Sequence, residues 1–152
     1  MKKAIISIIA AAFAVIAGVS GCSDSGTNSV PSELLGTWWY QSATLDGVPY
    51  DWFLYYNGEF GDTASYTFND DRTWNRIVYG ETLDTIQIGE GTYIVKGDSL
   101  TTTMTTLDGD SLIDPVVMGY MFTVTDSLLA ITLSSETGGG ITEVYIITYL
   151  KE

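Results

Sequence analysis

From Leu34 to the end of the chain, β-branched and aromatic residues alternate with polar ones, and short turns of Gly, Asn and Asp cut the alternation into brief runs. A period of two puts successive side chains on opposite faces of a strand, so each run makes a strand with one apolar face. No stretch carries a sustained helical period. The pattern predicts strands over 36–44, 63–69, 73–79, 82–88, 91–95, 99–106, 116–124, 128–134 and 142–150. Links such as Asn69-Asp70-Asp71-Arg72, Lys96-Gly97-Asp98 and Thr125-Asp126 are too short for crossover helices and predict antiparallel hairpins. Short strands in up-and-down order remove their exposed edges by closing. The predicted class is all-β, an antiparallel up-and-down barrel of about eight strands, whose interior is filled by side chains or holds one small ligand.

The first residues read as an address. Lys2 and Lys3 precede an apolar run over 4–17, shorter than the roughly 20 residues a membrane-spanning helix needs. This is the pattern of a secretory signal. Val19-Ser20-Gly21-Cys22 resembles a bacterial lipobox, which implies cleavage before Cys22 and acylation of that residue; the alternative is an ordinary signal peptide with Cys22 incidental. Ser23 after the cysteine points to the outer membrane of the envelope. The expected organisation is a signal peptide over 1–21, lipidated Cys22 with a polar tether over 22–33, and a barrel domain over 34–152.

Composition excludes several chemistries. The 152 residues contain no His and one Cys, so there is no Ser-His-Asp or Cys-His machinery, no imidazole zinc site and no intrachain disulfide. The net charge of −13 opposes nucleic acid. Without 1–21, 19 acids face only Arg72, Arg76, Lys96 and Lys151, a formal charge of −15, so the membrane partner is engaged by lipid on Cys22 and not by the protein surface. Carboxylate pairs are the remaining acid–base groups, and none sits in a motif, so no catalytic residue and no cofactor is assigned. Asp108-Gly109-Asp110-Ser111-Leu112-Ile113-Asp114 starts like a calcium loop, but Leu112 takes the fifth position and no Glu closes it. An irregular carboxylate site or a solvated hairpin loop both fit, and no metal is assigned.

Several segments resemble the small bacterial lipocalin-like lipoproteins, within the wider calycin group. They are Leu34-Leu35-Gly36-Thr37-Trp38, Tyr66-Thr67-Phe68-Asn69-Asp70-Asp71-Arg72-Thr73, Gly91-Thr92-Tyr93, Gly97-Asp98-Ser99-Leu100 and the last run from Val144 to Lys151. The resemblance spans nearly all of 34–152 and implies a lipocalin-like barrel with Trp38 plugging its closed end. Two positions depart from the pattern. Arg72 stands where Gly is frequent, and the basic residue that stacks on the Gly-x-Trp tryptophan has no clear counterpart, Lys151 being the only base near the chain end.

The candidate ligand-binding residues are the interior aromatics Tyr66, Phe68, Trp74, Tyr93, Tyr120 and Phe122, with Arg76, Trp52 and Tyr55. Arg76 shares a strand face with Trp74 and Val78: turned inward it anchors a carboxylate, turned outward it pairs with surface acids. Trp39, Tyr40 and the cluster from Trp52 to Tyr56 make either core or a sugar-stacking platform. The expectation is a non-catalytic envelope lipoprotein that binds a small apolar or amphipathic molecule inside its barrel. The alternative is a filled barrel that meets a glycan or a partner protein through an aromatic surface. Oligomeric state is not legible.

Overall fold

The computed structural model describes residues 29–51, 63–80, 82–137 and 141–152. A short 3-10 turn, Ser32–Leu34, leads into nine strands: β1 (Gly36–Leu45), β2 (Val48–Pro49), β3 (Thr63–Phe68), β4 (Thr73–Tyr79), β5 (Thr85–Lys96), β6 (Ser99–Leu107), β7 (Asp110–Val124), β8 (Leu128–Thr137) and β9 (Ile141–Lys151). From β3 onward each strand pairs antiparallel with the next, β1 pairs with both β3 and β9, and β2 folds back on the end of β1. Eight strands therefore close into an up-and-down barrel.

Local chemistry sets the hairpins. At Asp108-Gly109 both central turn residues have positive φ, 53° and 85°, the conformation that matches the twist of flanking strands in a two-residue hairpin. The solvated loop expected over Asp108 to Asp114 is therefore only this turn, and Asp110 already belongs to β7. Asp108 also accepts the Ile88 amide at 2.7 Å, which ties its carboxylate to the backbone.

The runs predicted at 82–88 and 91–95 are one strand. The glycines that read as a break mark a bulge between Glu90 and Gly91 where β5 presses on β6: a Cβ on Gly91 would stand 1.9 Å from the Thr103 carbonyl oxygen. Only glycine permits that approach, and the strand bends there without ending.

The core concentrates toward one end, where Leu34, Trp38, Phe68, Tyr93, Leu100 and Leu129 are almost wholly buried. Trp38 donates its indole N–H to the Leu34 carbonyl at 2.8 Å, so the 3-10 turn and the plug hold each other. Lys151 supplies the base missing from the sequence pattern. Its Nζ lies 5.0 Å from the Trp38 ring centroid and donates to the Glu33 carbonyl at 2.9 Å. Arg72 takes the left-handed turn position itself, at φ 68°.

The wall is not uniform. β8 and β9 pair along the whole of Leu128–Thr137, whereas β7 and β8 pair only between Met121–Val124 and Leu129–Thr132. β7 pairs with β6 over Val116–Met121 and again at Asp110 and Ser111, with 112–115 out of register, and none of Asp110–Tyr120 has a β8 partner among the described residues. Pairing between the two hairpins thus stops toward the end opposite Trp38.

Candidate functional site

Strand alternation carries Trp74, Arg76 and Val78 of β4 to the same face, and burial of Trp74 and Val78 makes that face the interior. Arg76 is therefore inward. It borders a cavity of about 20 Å³ together with Tyr66 of β3, Thr102 of β6, Tyr120 of β7 and Tyr149 of β9. The apolar wall comes from Phe68, Leu100, Met118, Ile131, Leu133 and Ile147. A water needs roughly 10–15 Å³ of such space, so the cavity admits about one water, far less than a whole drug-sized ligand.

The polar side of the cavity is tightly arranged. Arg76 Nη2 donates to Gln87 Oε1, a side chain reached across the β4–β5 hairpin. The Tyr66 ring stacks on Trp74 at 5.8 Å and meets Tyr149 edge-on at 5.4 Å. Tyr40 reaches the same group, edge-on to Tyr149 at 6.2 Å. Burial holds the Tyr149 phenol well above its usual ionisation range; neighbouring Tyr66 and Tyr120 add to this, and the Arg76 guanidinium opposes it. Tyr120 directs its hydroxyl to the Met118 thioether at 3.2 Å, a weak acceptor. The Trp74 indole nitrogen is buried and has no acceptor among the described residues. Around the cavity itself stand the Arg76 guanidinium and the phenols of Tyr66, Tyr120 and Tyr149, N–H and O–H donors that suit an acceptor-rich or anionic group.

Of the sequence candidates, Tyr66, Phe68, Arg76 and Tyr120 border the cavity. Trp74, Tyr93 and Phe122 belong to the core cluster instead, outside the cavity lining. The Tyr93 hydroxyl donates to the Asn69 carbonyl at 2.6 Å and its ring meets Phe68 edge-on at 5.2 Å. Trp52 and Tyr55, with Cys22 and the leader, lie outside the described residues. Tyr40 faces the core and Trp39 stacks on Tyr79 at 5.4 Å. The strongly exposed large apolar side chains among the described residues are aliphatic or Met, so no open aromatic platform stands on that part of the surface.

Sequence reasoning missed Tyr149, Thr102 and Gln87. Tyr149 alternates with Ile147 and Tyr145, so its face was legible, but its convergence on Arg76 depends on barrel closure. Gln87 lies opposite Val78 and so diagonal to Arg76 on the same face, which only the β4–β5 register shows. Among the described residues no three His, Cys, Asp or Glu side chains cluster in a way that could hold a metal ion.

No protein-family model matches this chain, and no curated protein matches it either.

Proposed function

We propose that this protein is an envelope lipoprotein of the lipocalin-like kind, anchored through acyl chains on Cys22, whose non-catalytic barrel binds a small amphipathic molecule with an acidic head. One observation carries the reading: Arg76, Tyr66, Tyr120 and Tyr149 converge on a space inside an otherwise apolar barrel. A guanidinium among phenols offers paired, charge-assisted hydrogen bonds to a carboxylate, and the surrounding rings supply apolar burial. The acidic exterior leaves attachment to the membrane to the lipid. The test is native mass spectrometry of the protein purified from the bacterial envelope without harsh detergent. A reproducible adduct released on denaturation is expected. A bare polypeptide mass that stays bare after incubation with envelope lipid extracts overturns the reading.

The size of the cavity favours one competitor, a filled barrel that acts through its surface. In that case truncating Arg76 leaves partner binding unchanged, while changes on the outer wall abolish it.

A further inference from the structure

The hairpin turns at the two ends of the barrel differ in kind. At the Trp38 end, 69–72, 96–98 and 125–127 hold only polar or charged residues and Gly97. At the opposite end four hairpins each carry an exposed aliphatic in or beside the turn: Val48 on β2, Leu83 between β4 and β5, Ile113 near the start of β7 and Ile141 at the start of β9. Among the described residues, Val117 of β7 is the one other large apolar side chain more than 60 % exposed. Exposed aliphatics scattered singly need no explanation, but four gathered at one end mark an interaction surface.

Two of the four are held out against local preference. Leu83 sits at φ 58°, a left-handed conformation that Gly or Asn adopts at least cost. Its amide donates to the Gly80 carbonyl at 2.9 Å, and the Gly80 amide to the Asp84 carbonyl at 3.0 Å, so the turn fixes the side chain outward. Between β6 and β7 the register passes from Met104 opposite Val116 to Thr106 opposite Ser111, which leaves 112–115 facing Thr105 alone. Bulges re-aim side chains, and Ile113 within this one is 97 % exposed. Folding alone favours Gly or Asn at position 83 and a polar residue at position 113.

The charge around these aliphatics has one sign. Asp46, Asp84, Asp108, Asp110, Asp114 and Glu136 lie in or beside the same turns, and all are exposed. From residue 29 onward the bases are Arg72, Lys96 and Lys151 at the Trp38 end and Arg76 inside the barrel, so none stands among these acids. A second copy of the chain would set acid against acid. The chain enters the barrel at the Trp38 end through Ser32–Leu34, so the anchor proposed at Cys22 ties that end, and not the aliphatic one, to the membrane.

We propose that the end opposite Trp38 is a docking surface for a cationic amphipathic segment of a partner protein. Apolar side chains of that segment meet Val48, Leu83, Ile113 and Ile141, and its Lys and Arg meet the surrounding acids. Docking there needs no ligand inside the barrel and no anchor, and native mass spectrometry reads the interior ligand separately.

The test is fluorescence titration of the full chain, held in phosphatidylcholine nanodiscs, against a labelled Leu–Lys peptide of about 18 residues with Leu on one helical face and Lys on the other. Empty discs give the background. Saturable binding is expected, weakened several-fold when salt rises from about 0.05 M to about 0.5 M. Ile113→Ser and Leu83→Asn should each weaken it about tenfold, as expected for losing one buried aliphatic contact. Both positions are exposed and Asn suits the left-handed turn, so neither change should unfold the barrel, and an unaltered denaturant midpoint checks this. Leu128→Ser, at the Trp38 end, should leave binding unchanged. No binding, equal binding of a Leu–Glu peptide, or equal weakening by Leu128→Ser overturns the proposal. Co-flotation with phosphatidylglycerol vesicles that Ile113→Ser abolishes, without peptide binding, assigns the surface to lipid and overturns it too. So does pairing of two copies that the same change abolishes.

Discussion

The two ends of this barrel solve opposite problems with the same strands. At the entry end, Leu34, Trp38, Phe68, Leu100 and Leu129 pack to near-complete burial, and the last strand returns Lys151 over the Trp38 ring. At the far end β7 and β8 part after four paired positions, Leu45 and Tyr145 are only half-buried, and exposed aliphatics line the parted strand. Stability gathered at one end lets the other remain partly unpaired. In a barrel of eight short strands a single plugged end holds the closure, so the opposite end need not pair fully.

The sharpest way to break this contrast is to remove the plug. Trp38→Ala deletes a fully buried indole, and about 3–5 kcal/mol of stability should go with it, read as a fall in the denaturant midpoint. A loss below about 1 kcal/mol would mean that the closed end does not hold the barrel together.

Raising pH attacks both ends through their phenols. Burial raises Tyr149, Tyr93 and Tyr40 above 10, and burial together with the Glu143 hydrogen bond lifts Tyr145 to about 12. The native state therefore keeps protons that the unfolded chain releases near pH 10. Their contribution is complete below that pH and falls as pH climbs through it. Tyrosinate absorbance should lag behind the count expected from free phenols until the chain unfolds; titration of every tyrosine in a still-folded protein would contradict this.

Amide exchange sharpens the contrast without any substitution. Val117 and Gly119, whose amides by alternation face β8 where no β8 residue pairs with them, should exchange well before Phe122, whose amide is bonded to Asp98, and before the β8–β9 ladder. Equal protection would mean that β7 and β8 pair further in solution than Met121–Val124.

Two smaller effects come last. Lys151→Met removes the charge over Trp38 and the bond to the Glu33 carbonyl, and about 0.5–1 kcal/mol should be lost from the closed end. Ile113→Ser, at a nearly fully exposed position, should change stability by less than about 0.5 kcal/mol. A larger loss there would show that Ile113 is covered in the folded protein.

Much of the architecture was legible residue by residue. The run 73–79 matches β4 at both ends, and the alternation of Trp74, Arg76 and Val78 defines one face. Which face turns inward was not legible for Arg76, because a polar residue between two apolar ones fits a strand of either orientation. The split of β5 into two runs came from reading Gly89 and Gly91 as punctuation, where close approach to Thr103 and Met104 was the reason for both. Tyr93 and Phe122 looked like ligand rings because they are aromatic and inward. In the closed barrel both pack into the core and neither borders the cavity.

What the sequence alone determined is local: strand periodicity, hairpin turns with Gly or Asp where φ must be positive, and hence an antiparallel all-β closure. What only the tertiary structure decided is everything that depends on adding registers around the ring. Register shifts near Ser42, Gly91 and Thr106 and the unequal pairing of β7 and β8 set which side chains meet across the interior. A one-residue shift exchanges the two faces of a strand, and those shifts accumulate over eight pairings, so the meeting of Arg76, Tyr66 and Tyr149 is a property of the closed barrel and of no segment within it.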